Sequence, residues 1–486
     1  MDVPQAYEWS AISEFENRAA DLARLERWWA SSDREPLNLF GRRRVGKSWL
    51  FRRFAHGKPA VILVADRVSA GQQLEQMAIQ LEPVLGVRPQ LDDVAGLVRV
   101  LYQLARTGKV LVVIDEFPYL LGTTQSEQAG NLVAIQAVLE QERDQSKIKL
   151  MVTGSTIAQM EAMQAERSPM HGRLQPLPLR PLPFSDARQL MDVKDPLEQM
   201  TRFSVAGGMP RYLTALRGAD LPDVLADQVI DRRAQLFNEP RALLQTELRE
   251  PAVYFSILAA LSGNPQNVAA IAATVRMETK ELSNYLATLE ALQLVSRHRP
   301  VGTASDARGS QWRCDDHFVR FWFRFVQPYQ GELEAGANPR GHVDLAVMPY
   351  LSEHTAPAFE TVVRAWMRQE WAGRASAVGA WWGPSLHALR ARKERSTEEI
   401  DAVALHAKKV VAVAEAKWTN KPLGARVLAD LTQFKLPALT QAGFDVTGCD
   451  IVLASKSGFT DGVRELAATV RGVQLLDAEI LIRALR

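Results

Sequence analysis

A glycine- and arginine-rich stretch near the amino terminus has the residue types and spacing that bind a triphosphate. Residues 41–48 (GRRRVGKS) fit the pattern GxxxxGK[ST], between an apolar stretch at 37–40 and a helical pattern that follows. In such a loop the glycines let backbone N–H groups face phosphate oxygens, the lysine neutralises phosphate charge and the serine ligates Mg²⁺. The alternative is a chance match in a basic loop. The predicted ATP contacts are Gly41, Arg42, Arg43, Arg44, Val45, Gly46, Lys47, Ser48 and Trp49.

A second apolar stretch, residues 110–116 (VLVVIDE), ends in two carboxylates. Oxygen ligands at the carboxyl end of a parallel strand suit a metal-nucleotide site, so Asp115 is predicted to hold the metal and Glu116 to polarise the attacking water. The alternative is that Asp115 caps a following helix. Ser155 is a candidate sensor of the γ-phosphate. Arg173 is a candidate for stabilising transition-state charge, in cis or from a neighbouring subunit, although a turn serine and a surface arginine explain both equally well.

The elements that must position these residues alternate along the first 155 positions. Short apolar runs at 37–40, 60–65, 110–114 and 149–153 are separated by amphipathic helical patterns. Such alternation predicts an α/β fold with a parallel sheet, as in P-loop NTPases. The proline-rich stretch 175–184 is incompatible with a regular helix or a central strand, and an extended connector is expected there.

Beyond the loop and the acidic pair, the chain resembles the prokaryotic ATPases often called archaeal-type ATPases, which are related to AAA+ and STAND proteins. The resemblance extends over most of the chain and implies an ATPase module followed by a winged-helix domain. One departure is Asn17, where relatives commonly carry glycine. The matching elements are Phe15-x-x-Arg18, GRRRVGKS, VVIDEF, the TGS strand end, HGR at 171–173, GGMPRYL at 207–213 and FVRFWF at 318–323.

The carboxyl-terminal part carries a second set of carboxylates. Asp401, Glu415 and Lys417 resemble the D…ExK motif of PD-(D/E)xK nucleases. A hairpin that turns near residues 407–408 brings Asp401 within one residue of facing Glu415, and Glu415 and Lys417 share a strand face. The predicted roles are metal binding by Asp401 and Glu415, and charge balance or water orientation by Lys417. The alternative is a solvated hairpin with cross-strand charge pairs.

The same resemblance implies two further residues for this site. Glu360, on the preceding helix, resembles the additional acidic metal ligand of these nucleases. Gln433, on the following helix, resembles their residue that positions substrate or water. The expected element order αβββαβ also matches the nuclease core, so a restriction-endonuclease-like domain is predicted at 345–486.

Five segments are expected along the chain. They are a P-loop ATPase core at 1–184, its helical lid at 185–249, a winged-helix domain at 250–330, a linker at 331–344 and the nuclease-like domain. The predicted recognition helix offers Lys280, Ser283 and Asn284 to DNA, and the wing offers Arg297, His298 and Arg299. Because acidic residues leave this helix roughly neutral, packing against protein is an equally good interpretation.

Composition limits the class of protein. The 486 residues suggest about three domains. A net charge of +2 excludes a bulk polycation that holds nucleic acid by charge alone. Two cysteines cannot build a disulfide framework, and no targeting or membrane segment is recognised, so a cytoplasmic protein is expected.

The leading hypothesis from the sequence is an ATP-hydrolysing protein that acts on DNA, with ATP and Mg²⁺ as cofactors and a magnesium-dependent nuclease domain. One alternative is a nucleotide-gated, STAND-like switch whose nuclease-like domain only binds nucleic acid or a protein partner. Another is an AAA+-like remodeller that works as a ring. A protein partner at the winged helix and an oligomer are both compatible with the sequence.

Overall fold

The computed structural model describes residues 4–14, 17–218, 220–248, 250–303, 309–385 and 397–485. The chain forms two compact units. The first comprises Met1–Leu182 with Met209–Arg211, and the second comprises Pro183–Gly208 with Tyr212–Arg486. Among the described residues, no helix is both long and apolar enough to cross a membrane.

A five-stranded parallel sheet forms the centre of the first unit, with the order β2-β3-β4-β1-β5. Strands β3 and β4 are buried along almost their whole length, as expected of a parallel sheet covered on both faces. The predicted α/β fold is confirmed, and the proline-rich stretch supplies only the edge strand. The strands are β1 (Leu37–Phe40), β2 (Ala60–Val64), β3 (Val110–Asp115), β4 (Ile148–Gly154) and β5 (Gln175–Pro178).

Helices join these strands, and the later four of them, α3 to α6, bury apolar residues in one core cluster with the sheet. Helix α2 begins directly after the glycine-rich loop, where Gly46 adopts a positive φ of 99°. The helices of this unit are α1 (Ala19–Ala30), α2 (Lys47–Ala55), α3 (Ala70–Leu85), α4 (Val94–Leu104), α5 (Gln125–Glu142) and α6 (Ile157–Ala162).

The second unit opens with helices and a small hairpin. Three helices, α12 to α14, precede the antiparallel pair β6 (Val295–His298) and β7 (Gln311–Cys314), which is the order expected of a winged helix. The aromatic helix α15 (His317–Phe325) follows. The other helices of this part are α7 (Phe184–Ala187), α8 (Pro196–Ala206), α9 (Pro210–Ala215), α10 (Leu221–Leu225), α11 (Glu239–Glu247), α12 (Pro251–Leu261), α13 (Val268–Val275) and α14 (Thr279–Ala291).

Residues 331–344, expected to be a linker, are mostly helical. They lie in α16 (Gln330–Glu334), α17 (Pro339–His342) and a π-helical turn, Val343–Val347, that leads directly into α18 (Met348–Glu370). Pro339 occupies the first turn of α17, and Asn338 caps it by accepting a hydrogen bond from the Arg340 N–H (3.1 Å). Glycine and proline at helix ends therefore account for the composition that suggested a linker.

A mixed five-stranded sheet completes the second unit, with the order β12-β11-β10-β9-β8. Strands β8 to β10 form an antiparallel meander, and β11 and β12 are added in parallel, so the expected αβββαβ order is present. The elements are β8 (Ala377–Pro384), β9 (Thr397–His406), β10 (Lys409–Lys417), α19 (Ala425–Asp430), α20 (Leu436–Gln441), β11 (Asp450–Ser455), α21 (Asp461–Thr469), β12 (Val473–Asp477) and α22 (Ala478–Ala484).

A proline inside a helix often ends it, but the chain after β10 continues helically through Pro437. A π-helical turn, Leu431–Lys435, joins α19 to α20, and Pro437 lies in the first turn of α20.

The packing of the phosphate loop against the edge strand yields a test of the first unit. A Cβ on Gly41 would overlap the backbone carbonyl oxygen of Leu179, an atom that cannot move aside as a flexible side chain can. We expect Gly41→Ala to destabilise the unit by about 1–3 kcal/mol. Thermal unfolding measures the loss. The control is Gly71→Ala in α3, where a Cβ meets open space and stability should stay equal or rise. Equal midpoints for the two variants would contradict the described packing.

Candidate functional site

The glycine-rich loop lies between β1 and α2, at the carboxyl end of the parallel sheet. The Lys47 side chain is buried and folds back over the loop, where Nζ donates hydrogen bonds to the carbonyl oxygens of Gly41 (2.7 Å) and Arg42 (3.2 Å). The positive end of the α2 dipole faces the same place. Loop and helix terminus thus form a ready anion-binding site.

The first carboxylate of the acidic pair is held at the end of β3. Ser48 Oγ lies 3.3 Å from Asp115 Oδ2, and Thr153 Oγ1 on β4 donates to Asp115 Oδ1 (2.5 Å). The two residues predicted to share the magnesium are therefore in contact. Thr153 was not predicted, because one threonine in a buried strand gives no signal in the sequence.

Glu116 has an unusual backbone conformation at the same edge of the sheet. Its φ of 54° lies in the left-handed region, which is costly for a residue with a Cβ. Its Oε2 accepts hydrogen bonds from Ser155 Oγ (3.0 Å) and from the Ser155 backbone N–H (3.2 Å). Glu116 and Ser155, predicted from separate strands, are thus brought together. Asp115 is not the cap of a regular α-helix.

The buried Arg18 connects the loop to the edge strand region. Its guanidinium donates to the carbonyl oxygens of Val45 (2.7 Å) and Arg180 (2.8 Å). Arg18 and the preceding Asn17 both have positive φ. Phe15, the first residue of that motif, lies outside the described residues. A Cβ on Gly46 would lie 3.7 Å from the Pro210 ring, so the GGMPRYL element contributes to this unit through Met209–Arg211.

The other residues that were predicted to contact ATP have partners in several different places. Arg43 reaches Tyr119 OH (3.5 Å), and the exposed Trp49 packs edge-on against Trp9, with ring centroids 5.1 Å apart. Arg173 is ion-paired with Glu140 at 2.6 Å on an exposed part of the surface. The described contacts therefore do not bring Arg173 to the phosphate loop.

The second site is built by a hairpin with an irregular register. Next to the turn, Val410 pairs with Leu405, but a bulge shifts the register so that Ala414 pairs with Ala402. One step further, Asp401 stands opposite Glu415, and residues directly opposite in an antiparallel pair share a face. Without the bulge the two carboxylates would point to opposite faces.

Lysines neutralise these carboxylates. Lys417 Nζ lies 3.1 Å from Asp401 Oδ2 and 3.1 Å from Glu415 Oε2, so the three motif residues converge. Lys435 Nζ lies 2.6 Å from Glu415 Oε1, and the Ala416 N–H donates to Asp401 Oδ2 (2.8 Å). Although burial opposes the charged form, Asp401 and Glu415 raise the pKa of Lys417 above its usual range. Burial, and then Asp401, raises the pKa of Glu415.

Sequence reasoning missed Lys435 and favoured Gln433, which is exposed. The π-helical turn at Leu431–Lys435 adds a residue to the helical repeat, and a regular helical period does not anticipate which side chain then faces the strand.

Glu360 on α18 lies at the edge of the same cluster. Burial, and then the Asp401 carboxylate, raises the pKa of Glu360 to about 7. Arg364, one helical turn further, lies 3.9 Å from Glu360 and donates from Nη1 to the backbone carbonyl of Asp401 (2.8 Å). Within the described ranges, no group of three or more His, Cys, Asp or Glu side chains is arranged to hold a metal ion. Asp401 and Glu415 remain a pair of oxygen donors, a number with which Mg²⁺ is often bound alongside substrate phosphates.

The predicted DNA contacts within residues 250–330 divide into two sets. Lys280, Ser283 and Asn284 are exposed on α14. On the hairpin, His298 Nε2 lies 3.3 Å from Asp315 Oδ1, and Arg297 donates to Ser310 Oγ (2.9 Å). The α14 residues are thus accessible, and His298 is engaged by a neighbouring carboxylate.

Two family models match parts of the chain. Residues 33–187 match a family described as an AAA domain. Residues 322–428 match a family described as archaeal and bacterial proteins of unknown function, and this match includes Asp401, Glu415 and Lys417.

Relatives were found among curated proteins and solved structures. An uncharacterized protein of Methanocaldococcus jannaschii is 23% identical over 416 residues, which cover 84% of this chain and 88% of that protein. The Walker-type ATPase PABY2304 of Pyrococcus abyssi superposes with a TM-score of 0.50 at 17% identity, covering 66% of this chain and 98% of that one. The ORC2 protein of Aeropyrum pernix, in ADPNP–ADP complexes, gives a TM-score of 0.41 at 14% identity over 66% and 95% of the two chains.

The AAA match covers the phosphate loop, the acidic pair and the parallel sheet. The likeness to the Pyrococcus ATPase shows the same fold. Residues 33–187 therefore match the AAA domain family, and this part of the chain has the P-loop NTPase fold.

Proposed function

We propose that this protein binds and hydrolyses ATP at the glycine-rich loop and uses the nucleotide cycle to control a magnesium-dependent nuclease site that acts on DNA. The observation that carries the nuclease half is the convergence of Asp401, Glu415 and Lys417 at one end of a buried hairpin, with Nζ 3.1 Å from each carboxylate.

In the ATPase half, each residue has a role that follows from its position. Lys47 would leave the carbonyl oxygens that it now contacts and neutralise the β- and γ-phosphates. Magnesium, held by Ser48 and through water by Asp115, would supply further positive charge to these phosphates. Glu116 would orient and polarise the attacking water, and the two hydrogen bonds from Ser155 would fix its carboxylate or release it when the γ-phosphate leaves.

In the nuclease half, Asp401 and Glu415 are the metal-holding pair. A magnesium ion bound there would lower the pKa of water and stabilise charge on the leaving oxygen. Because Lys417 is kept protonated by its carboxylate neighbours, it is suited to balancing charge on the scissile phosphate and unsuited to removing a proton. Glu360, whose pKa is about 7, is better matched to holding a proton at physiological pH.

A second candidate function is a nucleotide-gated switch whose carboxyl-terminal domain binds nucleic acid or a protein without cutting. The saturation of Glu415 by Lys417 and Lys435, at 3.1 Å and 2.6 Å, favours this candidate because two ammonium groups compete with a metal ion. Lys280, Ser283 and Asn284 would serve as DNA contacts in either case.

Removal of the loop lysine tests the ATPase half. We expect Lys47→Ala to abolish ATP turnover without unfolding the chain, because the side chain supplies charge to the phosphates. Phosphate release measures turnover and thermal unfolding measures stability. Lys147→Ala, an exposed lysine before β4, is the matched control and should retain wild-type turnover. Full turnover in Lys47→Ala would refute the assignment.

Separate loss of DNA cutting tests the nuclease half. Asp401→Asn and Lys417→Met should each abolish cleavage of labelled DNA in the presence of ATP and Mg²⁺ or Mn²⁺, while ATP turnover continues. Lys409→Met, at the exposed start of the same strand, is the matched control and should cut normally. Retention of DNA by the wild-type protein without cleavage would favour the switch, and parallel loss of both activities would indicate misfolding.

The raised pKa of Glu360 predicts a dependence of stability on pH. A carboxyl whose pKa is raised from its usual 4.5 to about 7 favours the native state at low pH, and this contribution is lost as pH rises through 7. Glutamine mimics the protonated form. Glu360→Gln should therefore unfold at the wild-type temperature at about pH 4.5 and at a higher temperature at about pH 8. A constant difference between the two proteins across this range would contradict the proposed environment of Glu360.

A further inference from the structure

Tyr119 holds two arginines at the carboxyl end of the parallel sheet. It lies in a short 3₁₀ helix, Phe117–Leu120, that directly follows Glu116. Its hydroxyl oxygen accepts a hydrogen bond from Arg67 Nε (2.9 Å), and Arg43 Nη2 lies 3.5 Å from the same oxygen. The Arg67 guanidinium also packs on the Tyr119 ring, with Cζ 5.2 Å from the ring centroid. One phenol thus gathers two positive charges.

The backbone places Arg67 beside the acidic end of β3. Strands β2 and β3 are parallel, and Val64 at the end of β2 pairs with Asp115 at the end of β3. The Ala65 N–H then donates to the Asp115 carbonyl oxygen (3.0 Å), and Arg67 follows in the connection to α3. Ligands of parallel α/β sheets bind at this edge. Strand pairing therefore fixes the backbone of Arg67 at the edge where a nucleotide is expected.

The same tyrosine reaches the phosphate loop and the acidic pair. Arg43 is the third residue of the loop GRRRVGKS. The Tyr119 backbone N–H donates to the Glu116 carbonyl oxygen (3.0 Å) and so closes the turn in which Glu116 has its left-handed conformation. Tyr119 therefore joins three parts of the ATPase site, which are the phosphate loop, the acidic pair and the end of β2.

The shared hydroxyl does not cancel the charge of the two arginines. A phenol oxygen is a neutral acceptor, so two like charges are held near each other, and both would attract an anion bound between them. The carboxylates of this edge accept hydrogen bonds from β4, Asp115 from Thr153 Oγ1 (2.5 Å) and Glu116 from Ser155 Oγ (3.0 Å). In the part of the chain that the structure describes, Arg67 forms no ion pair with a carboxylate.

We propose that Arg67, together with Arg43, binds the γ-phosphate of ATP and stabilises the charge that develops on it during hydrolysis. This inference rests on the ATPase half of the proposed function, because the phosphate loop identifies the anion as a triphosphate. The guanidinium fork matches phosphate oxygens with paired hydrogen bonds. Arg67 then takes the role that was expected of Arg173, which is ion-paired with Glu140 at 2.6 Å.

In the hydrolysis step the arginines supply charge and exchange no atoms with the substrate. Water adds to the γ-phosphorus, the bond to the β,γ-bridging oxygen breaks, and its electron pair leaves with ADP. The proton of the attacking water passes toward Glu116 and then to the released phosphate. Negative charge spreads over the equatorial oxygens of the γ-phosphoryl group in this step, and a guanidinium in contact with them stabilises it.

A comparison of two nucleotides tests the proposal in the full-length protein with Mg²⁺. Calorimetric titration uses ADP and the non-hydrolysable analogue AMP-PNP. Arg67→Met should weaken AMP-PNP binding about tenfold and change ADP affinity by less than about twofold, because only the γ-phosphate loses a charged contact. The kcat for ATP should fall about 100-fold or more, since the contact strengthens as charge develops. The unfolding temperature should stay that of the wild type, because the Arg67 side chain is exposed.

Two further variants separate the position of the guanidinium from its charge. Tyr119→Phe keeps the ring under Arg67 and removes only the shared oxygen, so AMP-PNP affinity should fall about threefold while ADP affinity is retained. Arg67→Lys keeps a positive charge without the fork, and its kcat should lie between those of Arg67→Met and the wild type. Arg99→Met, an exposed arginine of α4, is the matched control and should bind both nucleotides as the wild type does.

Equal losses of ADP and AMP-PNP affinity in Arg67→Met, or no loss of either, would overturn the proposal. If Arg67→Met unfolds, Arg67→Lys provides the same comparison, and wild-type AMP-PNP affinity and kcat in that folded variant together with wild-type binding in Tyr119→Phe would also overturn it. A wild-type protein that binds neither nucleotide removes the proposed ATPase function and this inference together. A wild-type protein that hydrolyses ATP, with turnover and affinities unchanged in Arg67→Met, removes only the inference.

Discussion

The carboxyl-terminal domain is organised around the neutralisation of two buried carboxylates. Glu415 is 1% exposed and lies next to Asp401, so two negative charges share a region from which water is largely excluded. Lys417 and Lys435 supply the compensating charge, and Arg364 ties α18 to the backbone of Asp401. Buried charges persist only when they are paired or when a ligand completes the pairing. This rule accounts for the positions of the two lysines.

The first unit also holds two carboxylates in fixed positions, at the carboxyl ends of its parallel strands. Asp115 and Glu116 lie at the end of β3, and Thr153 and Ser155 lie at the end of β4, so each carboxylate accepts a hydrogen bond from the neighbouring strand end. The left-handed backbone of Glu116 adds a local cost at the point where the proposed chemistry needs a carboxylate in a fixed place. In both sites the strands therefore fix the positions and directions of the acidic side chains.

Much of this organisation could be predicted from local sequence patterns. The phosphate loop, the α/β alternation and the αβββαβ order rest on strong periodicity and on glycines that few other structures require. Predictions based on composition alone were weaker. The expected linker at 331–344 is mostly helical. Gly and Pro mark helix ends as often as loops, so composition alone cannot separate the two.

The sequence by itself identified Asp401, Glu415 and Lys417 as candidate residues of the second site and indicated that Glu415 and Lys417 share a strand face. The sequence placed Asp401 only to within one residue of the position opposite Glu415, so it did not settle on which face of the hairpin Asp401 lies. Only the tertiary structure decided this, through the bulge between Val410 and Ala412 that moves Asp401 opposite Glu415. It also decided that Lys435, and not Gln433, reaches the carboxylates. The physical reason is the same in both cases: one extra residue in a strand or helix changes which side chains share a face, and long-range packing selects where that residue is accommodated.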